Sequence, residues 1–228
     1  MKVLDKGFVE VIDKLGSDLT VVNAARVSFG EEKKVFDEKD LKLVKYLAKN
    51  KHYSPFRHIM VQFHIKAPEF VMRQMFRHNV GIEATSSYAT KDSAWSEISQ
   101  RYTKVNEYYA PRKWRKQSLD NKQASAGNLP DKNQMALSGM FEHGMNYIFE
   151  LYNKLINWGV AKEQARIVLP LNIYTEVYWT ASFQAIANFI ELRHKPDAQY
   201  EIMLYAKVIN EIVRDLFPNI YDAWFANE

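Results

Sequence analysis

The sequence predicts an α+β domain whose sheet is assembled from strands far apart in the chain. Three observations carry this reading. The stretch "RHIMVQFHIK" puts Ile59, Val61, Phe63 and Ile65 on one face and Met60, Gln62, His64 and Lys66 on the other, a period-2 strand with one buried side. A second β-rich stretch, "YTEVYWTAS", recurs only in the last third of the chain. Between and after them run apolar stripes at helical spacing, such as Ile202, Tyr205, Ile209, Ile212 and Leu216.

Each element can be argued in order. "FVEVIDKLGSD" alternates and turns at Gly16, which predicts a strand, and "LTVVNAARVSF" follows as a short helix. "DEKDLKLVKYLAKN" spaces Leu43, Val44 and Leu47 for a helix with acids first and lysines last, in accord with the macrodipole. After the strand at 59–66, Pro68 suits a first helical turn, and "PEFVMRQMFRH" is expected to continue as helix, pairing Arg73 with Arg77 and Gln74 with His78. From Asn79 to Gln100 no period survives, and a loop is expected. "YTKVNEYYAP" reads as a strand and "RKWRKQSLDNKQASAGNLPDKN" as a polar connector. A long amphipathic helix from Met135 to Trp158 ends at Gly159, and "AKEQARIVL" is a helix stopped by Pro170. "FQAIANFIELR" places Ile186, Phe189 and Ile190 on one side of a helix, and the stripe through Leu216 closes the set.

Neither an internal repeat nor a domain boundary interrupts this order, so residues 1–228 are expected to form one domain. The composition, 47% apolar with 14% aromatic residues, is that of an ordinary globular protein. No apolar run approaches the ~20 residues that span a bilayer. The N-terminus lacks the apolar centre of a signal peptide, so a cytoplasmic protein with no membrane partner is expected. The chain has no cysteine, which excludes disulfides, thiolate metal ligands and thiol nucleophiles. A net charge of +4 does not choose between nucleic acid and anionic small molecules. Interleaved basic and aromatic residues occur only in "YYAPRKWRKQ", read as a solvated connector, so nucleic acid is not the expected partner.

Candidate chemistry rests on arginine. No strand leads into G-x-G-x-x-G or a P-loop, so a nucleotide would be held by side chains and helix ends. Arg77, Arg101, Arg166 and Arg193 stand in apolar or turn contexts. Singly, each is explained by a helix-end charge or an ion pair, but jointly they look like an anion site built from bidentate guanidinium forks. Among the six histidines, His58 and His64 share a strand face, yet no carboxylate-rich or H-x-x-x-H pattern accompanies them, and no metal site is expected. His78 differs, for it lies beside Arg77 where helix becomes loop. Ser99 has no evident base near it in sequence and is read as a ligand-binding hydroxyl rather than a nucleophile.

The stretches "AARVSF", "FHIKAPEFVMRQMFRH", "SEISQRY", "ARIVLPLNIYT" and "NFIELR…DAQYEI" resemble, in this order, the flavin-dependent thymidylate synthase family, from about Lys2 to Trp224. The resemblance implies an antiparallel sheet flanked by helices, a homotetramer with active sites shared between subunits, and methylation of dUMP to dTMP with FAD, NADPH and methylene-tetrahydrofolate. Zero cysteine agrees with a chemistry in which reduced flavin removes the need for a thiolate.

By the same resemblance dUMP is met by Gln74, Met75, Phe76 and Arg77 from one subunit and by Glu97, Ile98, Ser99, Gln100 and Arg101 from another, with Arg101 on the phosphate. Arg166 matches a further nucleotide contact. Arg193 matches the catalytic arginine that hydrogen-bonds and polarises the pyrimidine. Ser54, Arg77, His78, Asn79, Glu97, Ser182, Gln184 and Asn188 match FAD positions, and His52 lies in the flavin and folate vicinity. The chain departs from the family at three points. Asn79 ends the Arg-His-Arg triplet, nineteen residues separate Asn79 from Ser99, a longer span than the family's, and Ser182 and Gln184 replace an Asn and an Arg. Two flavin-side guanidinium groups are therefore exchanged for amides, which implies weaker FAD binding unless a group such as Lys91 compensates. Two alternatives share the fold: hydroxymethylation of a deoxypyrimidine monophosphate, and a non-catalytic nucleotide- or RNA-binding relative.

Overall fold

A computed structural model describes residues 1–78 and 93–226. Five strands form one sheet in the order β1 (Lys2–Val3), β2 (Gly7–Leu15), β3 (Met60–Pro68), β7 (Tyr174–Ser182) and β4 (Ser93–Glu97), every neighbour antiparallel. The helices are α1 (Asp18–Arg26), α2 (Glu38–Lys49), α3 (Glu69–Met75), α4 (Asp131–Asn157), α5 (Lys162–Ala165), α6 (Phe183–Arg193), α7 (Tyr200–Leu216) and α8 (Pro218–Phe225). The expected α+β class, its antiparallel sheet and its flanking helices are all present.

The alternation in β3 decides which face the helices cover. Val61, Phe63, Ile65 and Ala67 are buried against Trp179 of β7, Ile186 and Phe189 of α6, and Tyr205 and Ile209 of α7 in one apolar cluster. The opposite face is polar and half-buried. There Gln62 donates to Thr180 at 3.1 Å, while Lys66 pairs with Glu107 at 2.5 Å and Glu176 at 3.3 Å. His64 lies 3.1 Å from the same Glu176, and His58 precedes the strand. Among the described residues no cluster of metal-ligating side chains occurs. A second, smaller cluster of Val105, Tyr152, Ala165 and Ile173 packs under α4 and α5.

Where the pattern was strong, structure follows it: "YTEVYWTAS" is β7 and "FQAIANFIELR" is α6, residue for residue. Four expectations are corrected. The loop predicted up to Gln100 contains β4, an edge strand held by a Trp95–Trp179 stack with centroids 4.9 Å apart and planes at 6°. The strand predicted in "YTKVNEYYAP" is reduced to one bridge, Tyr108 with Ile173. Its apolar residues are drawn in different directions, Val105 into the smaller cluster and Tyr109 towards Glu201. The polar connector holds a hairpin of β5 (Arg115–Gln117) and β6 (Ser125–Asn128). The helix expected through His78 stops at Met75, so Arg77 and His78 turn away from its axis. Among the described residues no helix is long and apolar enough to cross a membrane.

Candidate functional site

Two groups of side chains gather beside α3. At its C-terminal end the chain leaves the helix through Phe76 and Arg77, and the His78 backbone N–H closes the turn on Met75 O at 2.9 Å. The His78 ring packs edge-on against Phe189 of α6, centroids 5.1 Å apart. One helical turn beyond Phe189, Arg193 donates from Nε to His78 Nε2 at 2.9 Å. The accepting Nε2 places the ring proton on Nδ1. Burial, then the adjacent guanidinium, push the His78 pKa down to about 4, so the imidazole is neutral near pH 7. Gln74, from the last turn of α3, hydrogen-bonds Gln199. Met75 is fully buried in the core, and Phe76 sets its ring edge-on to Trp95 at 5.0 Å.

At the N-terminal end, Glu69 and Phe70 donate their backbone N–H groups to Ile173 O and Leu171 O, both at 2.9 Å, which ties the helix to the chain after Pro170. A cavity of about 400 Å³ opens there, lined by Glu69, Arg73, Gln100, Glu163 and Arg166 among others. Gln100 donates to Glu69 at 2.5 Å, and Arg101 pairs with Glu163 at 3.4 Å. The Glu69 carboxyl is held above its ordinary pKa, first by burial and then by the Glu97 charge, against the opposing pull of Gln100, Arg73 and Arg166. Glu97 accepts from Thr175 at 2.7 Å, and Ile98 extends the ladder to Glu176 O at 2.9 Å. Ser99 opens a tight turn whose Tyr102 and Thr103 N–H groups bind its carbonyl at 3.0 and 2.9 Å. Its hydroxyl accepts from the Arg101 N–H at 3.3 Å, and no histidine, lysine or carboxylate hydrogen-bonds it among the described residues.

The structure thus brings His78 and Arg193 together, with Gln74 on the same end of α3, and gathers Gln100 and Arg166 in one cavity with Arg101 at its margin. Among the described residues no hydrogen bond or ion pair joins His78 or Arg193 to Gln100, Arg101 or Arg166. Ser182 and Gln184 are buried at the start of α6, where the Ser182 hydroxyl caps the helix by accepting from Ala185 N at 3.2 Å, and Asn188 is half-buried beside Phe189. Ser54 and His52 are exposed, with the His52 ring 6.2 Å from Tyr46. Asn79 and Lys91 lie outside the described residues. Sequence reasoning missed Glu69 and Gln199 as parts of the site. Both sit inside motifs already noted, "PEF" and "DAQYEI", but their partners lie far away in sequence.

An α+β protein with an antiparallel sheet and two arginine-bearing polar clusters beside one helix is the class these features define. Residues 10–219 match the family model described as thymidylate synthase complementing protein. The chain belongs to that family. It is 44% identical to a flavin-dependent thymidylate synthase of Thermus thermophilus over 99% of this chain and 77% of the relative. The Thermotoga neapolitana protein of the same description is 42% identical, covering 97% of this chain and 92% of its own. Among solved structures, a UMP/dUMP methylase from Streptomyces cacaoi bound with 5-Br dUMP superposes with a TM-score of 0.83 at 29% identity, covering 99% of this chain and 97% of that one.

Proposed function

We propose that the protein is a flavin-dependent thymidylate synthase that methylates dUMP to dTMP, with methylene-tetrahydrofolate as the one-carbon donor and NADPH as the reductant. Membership of the family, with curated relatives of that activity at 37–44% identity, carries the reading. The residues present fit the isoalloxazine side of FAD by their chemistry. At the Arg193 contact His78 is a neutral imidazole that keeps its Nδ1 proton to donate, suited to a neutral hydrogen-bonding ring. Held beside His78, reduced FAD would supply the reducing equivalents for the one-carbon transfer.

This chain's own residues do the rest by binding and polarising. With Nε engaged by His78, Arg193 keeps its two terminal nitrogens for the pyrimidine, where a fixed positive fork stabilises negative charge developing on the ring. Arg101 holds the phosphate, Arg166 adds a further nucleotide contact, Arg77 and Gln74 meet the nucleotide from the other side, and Ser99 and Gln100 orient it. We place the protein in a homotetramer, in which a second copy of the chain joins the two groups into one shared site. Support comes from apolar side chains beside the arginines: Tyr102 is 73%, Ile167 79% and Leu192 59% exposed in the single chain. A single domain over residues 1–228 and a cytoplasmic location complete the proposal.

The test is direct. Purified protein reconstituted with FAD should show a flavin spectrum and convert dUMP to dTMP when given NADPH and methylene-tetrahydrofolate. Mass analysis of the product separates a methyl from a hydroxymethyl group. Absence of flavin binding, or dUMP binding without flavin-dependent turnover, would overturn the reading.

A further inference from the structure

The hairpin β5–β6, which the family reading leaves without a role, is wired to the site through a chain of polar groups centred on the buried Glu201. Arg115 donates from Nη2 to Glu201 at 2.7 Å and from Nε to Ser125 at 2.8 Å, and its guanidinium lies 4.7 Å from the Tyr200 ring centroid. Glu201 is 3% exposed, and the Tyr109 hydroxyl also donates to it at 3.2 Å. The other carboxylate oxygen accepts from Gln199 Nε2 at 3.1 Å. Gln199 occupies the N-cap position of α7 but makes no side-chain cap, and its Oε1 accepts from Gln74 Nε2.

The polarity of this chain has one consistent solution. Guanidinium only donates, and a carboxylate paired with it only accepts. Gln199 must therefore turn its NH2 towards Glu201 and its oxygen towards Gln74. Gln74 must in turn present NH2 to Gln199. Reversing either amide would set two acceptor oxygens face to face, a repulsive contact in place of a hydrogen bond. The outcome is that Gln74 offers its carboxamide oxygen to the ligand.

We infer that Gln199 and Glu201 are positioning residues, which lock the Gln74 amide so that its oxygen accepts a hydrogen bond from a donor of the bound nucleotide, an imide N–H or a sugar hydroxyl. The inference rests on the proposal that Gln74 meets dUMP, and it gives the Arg115 hairpin its function as the outer anchor of the lock.

A double-mutant cycle read by calorimetric dUMP affinity on the FAD-loaded protein tests it. Glu201→Gln permits both amides to reverse and should weaken dUMP binding about tenfold, the equivalent of one hydrogen bond. In a Gln74→Ala background the same substitution should change affinity less than about twofold, because the group it acts through is gone. Gln199→Leu, which leaves the Arg115–Glu201 pair in place, should couple to Gln74→Ala in the same way and covers the case in which Glu201→Gln fails to fold. Unchanged flavin absorbance and melting temperature show that the fold is intact. Repeating the cycle with N3-methyl-dUMP identifies the donor: coupling lost with this analogue points to the imide, and coupling retained points to a hydroxyl. Additive effects in a folded, dUMP-binding protein would overturn the lock, whereas a wild-type protein that does not bind dUMP would overturn the parent reading.

Discussion

Arg193 holds its place by a contact that no local pattern encodes. It closes α6, and the imidazole that receives its Nε–H belongs to residue 78. The sequence marked both residues as unusual, each by position beside an apolar stretch, but not that they touch. Removing the guanidinium deletes the group that stabilises charge on the pyrimidine, so Arg193→Ala should lower turnover by at least ~100-fold while the flavin spectrum stays. Retained turnover would contradict the assigned role. His78 gives a pH signature. The folded state binds the His78 proton less tightly than the unfolded chain, whose imidazole titrates near its ordinary value of 6.5. Between about pH 6.5 and about pH 4 the unfolded state therefore holds more protons, and this contribution to stability falls as the pH is lowered through that window. Urea midpoints from pH 7 to pH 4 should decline less in His78→Asn than in the wild type. Equal declines would show that the ring is not held neutral.

At the level of elements, legibility tracked periodicity. β7 and α6 abut with no loop, and the change from alternation to a 3.6-residue stripe falls at Ser182, which ends one and caps the other. β4 was invisible because "SAWSE" carries a single large apolar residue, and its anchor is a stack on a tryptophan far along the chain. The hairpin was invisible because all four residues of β6 are exposed. β2 illustrates a constraint that the pattern does not announce. At Gly7, where α7 crosses the sheet, an added Cβ would lie 2.8 Å from both Lys66 O and Val3 O and would collide with the Tyr205 hydroxyl. That hydroxyl donates to Lys66 O at 2.7 Å. Two of the three obstacles are backbone, which cannot yield as a side chain can. Gly7→Ala should therefore destabilise the fold by about 1–3 kcal/mol, read as a lower denaturant midpoint at unchanged slope. A neutral effect would mean that the backbone about Gly7 is less closely packed than these distances show.

For the whole molecule, the decisive feature is that the arginines singled out in the sequence form two groups rather than one. In the single chain Arg193 and His78 share no hydrogen bond or ion pair with Arg101 or Arg166, and apolar neighbours of three of these arginines are exposed. Local pattern shows which side chains are unusual, but it cannot show which copy of the chain completes the site. The proposed homotetramer would account for both facts at once, with an interface that buries Tyr102, Ile167 and Leu192 while joining the two groups. Complementation tests this sharing. Arg193→Ala and Arg101→Ala, each inactive or nearly so as a pure protein, damage different groups. When the two are unfolded together, mixed equally and refolded with FAD, about a quarter of the sites should draw both groups from undamaged copies, and activity should reappear to about that fraction. Sites contained within one chain would give no recovery, because every chain in the mixture carries one lesion.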